Sequence, residues 1–260
     1  MKMKNNEIDL SNYMISWIQF FLKKKPRGYQ RKLLKLLNKF NKVCARWCRQ
    51  TGKTTTIGWY VLFKATTVCK LSILIVAPAK RQSDEFYSRI AMIVDETPEI
   101  SQLIISKTKS EMKFINGSII RSLPSGHDGK TIRGPTADII IIEESGYMKD
   151  SIITGVINPM LASKKNKGQL IKIGSPFGKN NFYFSCKSDK YVESFVDYRM
   201  ALEEGAFSQE FIDDQRDECT SLEFRTEYEA EFIEDADCYF KTKVIEQAIM
   251  DYPMITDVYI

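Results

Sequence analysis

Three short runs constrain this chain more than anything else in it: LSILIVAP (71–78), ADIIIIEE (137–144) and QLIKIGSP (169–176). Each is apolar at nearly every position. A strand with one wet face alternates apolar and polar residues, whereas a strand covered on both faces does not. KVCARW (42–47) is a weaker fourth run of the same kind, and helix-like segments such as 53–65 and 81–95 lie between the runs. Buried strands alternating with helices predict an α/β chain with a mainly parallel sheet flanked by helices. MKFINGSIIRSL (112–123) places Asn-Gly between two β-rich stretches and reads as a hairpin. Residues 13–40 read as helical with a break at 23–28, and SQEFIDDQRDECTSLEFRTEYEAEFIED (208–235) reads as an acidic, helical, separate small subdomain.

Composition sets outer bounds. With 260 residues, 43% of them hydrophobic, the chain has material for one sizeable core and a small second unit. A net charge of +5 permits contact with nucleic acid without requiring it. The six cysteines are scattered without a C-x-x-C pair, which favours free thiols over zinc ligation or a disulfide framework. No apolar run reaches the roughly 18 residues of a membrane span, and no signal-peptide pattern opens the chain. A soluble intracellular protein with no membrane partner is expected.

The chemistry centres on CRQTGKTTT (48–56), between the weak strand and a helix-forming run. A strand, a turn containing glycine and a helix N-terminus form a phosphate cradle. Gly52 lets backbone approach phosphate, Lys53 reaches the β- and γ-phosphates, and the Thr54 hydroxyl ligates Mg²⁺. Arg49, Gln50, Thr51 and Thr55 complete the cofactor-binding loop. The glycine expected five residues before Gly52 is Trp47. A surface lysine at a helix start is the plain alternative, since Gly-Lys-Thr alone is a common string. IIIIEE supplies the other half of such a site, with Glu143 holding Mg²⁺ through water and Glu144 polarising the attacking water. The competing reading is a strand end with solvated acids.

RQTGKTT, IIIIEESGYM and IGSPFGKNNFYF together resemble the large terminase subunit of tailed viruses, over roughly residues 25–240. That family often replaces the first loop glycine, so Trp47 is an unusual form of a tolerated departure. The resemblance implies a P-loop NTPase of RecA-like (ASCE) architecture with a helical lid. It further implies an ATPase that uses ATP and Mg²⁺ to drive double-stranded DNA into a procapsid. Gln30, in RGYQRKLL, would read the adenine edge with its amide. Arg133 resembles the arginine that reaches a neighbouring subunit's γ-phosphate, and Arg49 is its rival acting in cis. Ser175, in the coupling motif, would bond the phosphate or the attacking water. The implied partners are portal protein, small terminase subunit and further copies of the chain in a ring, in the cytoplasm of the infected host cell.

The expected layout is an ATPase core with an N-terminal helical region at 1–200, a lid at 201–240, and a linker or tail at 241–260. About 25 residues follow Asp235, too few for the family's nuclease domain, so DNA cleavage is not expected of this chain. His127 reads as a loop residue rather than a catalytic base. The lysines at 23–25 and at 164, 165 and 167 read as solvated, with phosphate contact as the alternative. Two rival functions share parts of this pattern. A helicase-like ATPase would need a second RecA-like domain. A non-hydrolysing nucleotide-binding scaffold would have no use for Glu144.

Overall fold

The structure, a computed structural model, describes residues 10–134, 136–162 and 168–233. The expected tail, Cys238 and the lysines at 164, 165 and 167 lie outside the described residues. Among the described residues, eight strands form one sheet in the order β3-β4-β5-β2-β6-β7-β1-β8. They are β1 (Lys42–Trp47), β2 (Ser72–Ala77), β3 (Ile104–Lys107), β4 (Glu111–Phe114), β5 (Ile119–Pro124), β6 (Ile139–Ile142), β7 (Gln169–Gly174) and β8 (Val192–Val196). The six strands from β5 to β8 are parallel, while β3, β4 and β5 pair antiparallel. Both kinds of sequence signal are therefore realised, the continuous apolar runs in the centre and the Asn116-Gly117 hairpin at one edge.

The apolar runs are continuous because alternate residues feed two different cores. Ile73, Ile75, Ile139, Ile141, Ile171 and Ile173 point to one face. Leu74, Val76, Ile140, Ile142 and Leu170 point to the other. Each fully buried isoleucine contributes about 1.5–3 kcal/mol of transfer free energy, so a polar substitution at any of them is costly. The first face is covered by α1 (Leu10–Phe21), α2 (Gly28–Lys39), α3 (Lys53–Thr67) and α4 (Lys80–Asp95), with the one-turn α5 (Pro98–Ser101) following. The second face is covered by Ile132, α6 (Asp150–Ile152), a π turn at Ile153–Ile157, and α7 (Asn158–Ala162). Beyond β7 and β8 come α8 (Asn181–Lys187), α9 (Tyr198–Glu203), α10 (Gln209–Glu218) and α11 (Ser221–Glu227). Tyr198, Ile212, Phe224 and Tyr228 make a small apolar cluster of their own.

Two details differ from the sequence reading. The acidic stretch is helical as expected, over 209–227, but in two pieces, because Thr220 caps α11 and shares a capping box with Glu223, and α10 ends at Glu218. Strands β3 and β8 are short, half-exposed edge elements that no apolar run announces.

The strand order matters most for function. Strand β7 lies between β1, which leads into the Gly-Lys-Thr turn, and β6, which leads into the two glutamates. All three are parallel, so their C-terminal ends emerge side by side. In open parallel sheets ligands bind in the crevice outside those ends.

Candidate phosphate and metal site

Trp47, the last residue of β1, is fully buried and turned into the core. Its indole Nε1 donates to Ser194 Oγ at 3.0 Å, and its ring meets Tyr29 edge-on at 5.1 Å. The position where a glycine is customary therefore faces away from the ligand space and has no need of one. Gly52 is different. It has φ +78°, in the left-handed region, and a Cβ there would lie 2.9 Å from Gln30 Nε2. Only glycine suits both the backbone and the space.

The turn is held both from within and from outside. Thr51 Oγ1 donates to Cys48 O at 2.8 Å, and Tyr29 OH donates to Thr51 O at 3.1 Å. Cys48 N and Arg49 N donate to Val196 O and Glu227 O, both at 2.9 Å. Helix α3 starts at Lys53, so its unpaired N–H groups face the crevice.

A cavity of about 480 Å³ opens there, lined by Cys48, Arg49, Gln50, Gly52, Lys53, Thr54, Thr55, Arg89, Glu144 and Ser175. Eight of these ten are residues named from the sequence. Lys53 is nearly buried, with Nζ 3.4 Å from Trp47 O. Cys48 stays a thiol, since burial pushes its pKa up to about 12. A smaller adjoining cavity of about 160 Å³ is lined by Thr54, Gln82, Glu85, Phe86, Arg89, Glu143 and Glu144.

The two adjacent glutamates are placed quite differently. Glu143 is 6% exposed, and its Oε1 accepts from Thr54 Oγ1 at 2.9 Å. Its Oε2 is buried without a hydrogen-bond partner. Burial, then the charge of Glu144, push its pKa up to about 7 against the opposing pull of Lys53. A buried oxygen with no partner costs about 1–3 kcal/mol and is what a hard cation would satisfy. Mg²⁺ binds through one or two carboxylates together with substrate phosphates, so Thr54 and Glu143 fit it without a larger acidic cluster. Among the described residues no such cluster of three His, Cys, Asp or Glu occurs. Glu144 has φ +49° and faces the larger cavity. A left-handed non-glycine residue is strained by about 1–2 kcal/mol, a cost tolerated mainly where side-chain placement matters.

Four residues named from the sequence lie outside the main cavity. Gln30 is buried beside Gly52, with Oε1 accepting from Arg27 N at 2.9 Å. Thr51 turns inward, and Glu143 lines the smaller cavity. Arg133 is exposed on a turn anchored by buried Ile132 and lines neither cavity. Arg49 lines the cavity but is also paired with Glu227 of α11 at 3.2 Å. His127 is exposed, 3.0 Å from Lys149 Nζ, and belongs to neither cavity. The residue missed from the sequence is Arg89, which lines both cavities and pairs with Glu85 at 2.7 Å. Gln82, Glu85 and Arg89 recur at helical spacing on α4, and that spacing was the available signal.

A glycine-bearing turn that leads from a buried parallel strand into a helix, facing paired acids from a strand two places away, defines a P-loop nucleotide-binding protein. Residues 47–247 match the family model described as the terminase large subunit, T4likevirus-type, N-terminal. The chain belongs to that family. Its fold is similar to the large terminase ATPase domain of Thermus phage P74-26, solved as an arginine-to-alanine variant. The TM-score is 0.70 at 19% identity, covering 84% of this chain and 98% of that one. The large terminase of bacteriophage HK97 matches with a TM-score of 0.68 at 14% identity, over 86% of this chain and 56% of that one. A large terminase from a thermophilic bacteriophage, solved with ADP, matches with a TM-score of 0.60 at 10% identity, over 86% and 53%. The chain thus spans about half the length of these last two proteins.

Proposed function

We propose that this chain is the ATPase motor domain of a DNA-packaging terminase, hydrolysing ATP with Mg²⁺ to move double-stranded DNA into a procapsid. One observation carries the reading: Lys53, Thr54, Glu144 and Ser175, from three neighbouring strand ends, line a single cavity. Family membership and the nucleotide-bound relative support it. Lys53 and the α3 N-terminus hold the phosphates, and Gln30 reads the adenine. Bound through Thr54 and Glu143, Mg²⁺ would neutralise developing charge on the phosphates. Glu144 accepts a proton from the attacking water, and Ser175 orients that water or the γ-phosphate. The domain works in the cytoplasm of the infected host cell as a ring of copies on a portal, with a small terminase subunit as a further partner. Residues 1–200 are assigned to the core and 201–240 to the lid.

Arg133 is assigned as the finger acting across the subunit boundary, because it is exposed and lines neither cavity of its own subunit. Arg49 is assigned to its own site. ATP turnover with and without linear duplex DNA tests the motor reading, and mixing tests the arginines. A missing finger costs on the order of 10³-fold in turnover. Assembled mixtures of Arg133→Ala with Lys53→Ala subunits regain ATPase activity, while Arg49→Ala mixed in the same way stays inactive. Rescue of Arg49→Ala alone would reverse the assignment, and no ATP turnover under any condition would leave the scaffold reading.

A further inference from the structure

Glu144 and Ser175 come from different strands, and both lie beyond the strand ends. Something must fix one against the other. The two backbones touch: a Cβ at Gly146 would lie 2.6 Å from Ser175 O, and one at Gly174 would lie 3.0 Å from Ser145 N. The Tyr147 and Phe177 rings pack at 4.5 Å over this junction.

One side chain closes it. Asn180 Nδ2 donates to Gly146 O at 2.5 Å and to Phe177 O at 2.7 Å. Asn180 Oδ1 accepts from Phe182 N at 3.0 Å and Tyr183 N at 3.3 Å, capping α8. Two donor hydrogens and two lone pairs are the whole capacity of a primary amide, so the group is fully used. Helix α8 is itself anchored. Asn181 N donates to Asp150 Oδ1 at 3.0 Å, and the buried Lys172 ammonium donates to Asn181 Oδ1 and, at 2.7 Å, to Ser185 Oγ.

Capping alone does not call for asparagine, because aspartate and serine cap as well or nearly so. Only the amide can cap a helix and also donate to two carbonyls. We infer that Asn180 is a positioning residue: it locks the turn after Glu144 to the Ser175 loop, so that the two groups at the phosphate move as one body. The inference rests on the reading of Glu144 and Ser175 as the hydrolytic pair.

Two variants separate the roles. Asn180→Asp keeps size and cap but loses both donors and sets a carboxylate against two carbonyls. Asn180→Ser keeps a neutral cap and loses the amide bridge. Both are expected to unfold cooperatively and to bind a non-hydrolysed ATP analogue with wild-type affinity. Their kcat should fall by about 10-fold or more, as misplacement of reacting groups by an ångström does. Hydrogen exchange should rise together in residues 144–148 and 175–178. Wild-type kcat in a folded variant, equal losses of affinity and kcat, or faster exchange confined to α8 would overturn the inference. Misfolding of both would make Asn180 a folding residue and overturn it too. Glu144→Gln in parallel keeps the two claims apart: if it turns over ATP like the wild type, the site reading fails, while the exchange result still judges the lock.

Discussion

The two ends of the hairpin-and-helix assembly around α3 treat polar groups in opposite ways. At the C-terminal end of α3, the Asn116-Gly117 turn is fully satisfied. Asn116 Nδ2 shares its two hydrogens among Ala65 O, Thr66 O and Val68 O at 2.8, 3.4 and 3.2 Å, and its Oδ1 accepts from Ser118 N at 2.9 Å. At the far end of the same hairpin, Arg121 pairs with Glu111 at 2.5 Å. At the N-terminal end of the same helix, Glu143 Oε2 is buried without a partner. The hairpin uses its turn residues to finish a helix, whereas the cradle leaves a carboxylate oxygen unsatisfied at considerable local cost. A bound cation would complete the bonding of this carboxylate, and its place beside Thr54 and the cavity marks the N-terminal end as the working end.

Substitutions at the two ends should therefore fail in different ways. The largest effect is at the cradle. Glu144→Gln is expected to lower turnover by roughly 10²-fold or more while leaving ATP binding intact, whereas Lys53→Ala should lose both. Equilibrium binding beside steady-state kinetics separates them, and wild-type turnover in Glu144→Gln would move the base elsewhere.

The next effect concerns a buried charge on β7, Lys172, beneath α8. Lys172 is 1% exposed, and burial lowers its pKa from 10.5 to about 8. A lysine whose folded pKa is depressed contributes stability above its unfolded pKa and loses it as pH falls through the folded value. The wild type should gain on the order of 3 kcal/mol between about pH 8 and 10.5 relative to Lys172→Met. Denaturant unfolding of both proteins across that range measures it, and parallel pH profiles would contradict it.

Asn116→Ala is the smallest. The carbonyls at the end of α3 lose two donor hydrogens, Val68 O keeping that of Ser118, so unfolding should become easier by about 1–2 kcal/mol. Turnover below the unfolding range should be unchanged. A large loss of kcat there would erase the distinction between the two ends.

How much of this was legible in the sequence follows from the same contrast. The central strands were legible because both faces are covered, which forces runs such as IIII at 139–142. The hairpin was legible because Asn-Gly is needed for its turn. Strands β3 and β8 were not, since an edge strand of four or five half-exposed residues carries no run of apolar positions. The break before α11 was legible in principle, as Thr220 and Glu223 have capping-box spacing. Arg89 and Asn180 were not identified, because their significance depends on which surfaces the helices they belong to or cap turn towards the strand ends. The isolation of Glu143 Oε2 depends on packing from several elements and leaves no local mark.

The central claim is that ATP and Mg²⁺ complete the unsatisfied end of α3 and leave the satisfied end alone. Hydrogen exchange by mass spectrometry on Glu144→Gln, with and without ATP and Mg²⁺, tests it directly. Protection is expected in residues 48–56 and 142–146, with no change in 111–121. No protection at 48–56, or protection centred on the hairpin, would contradict the account.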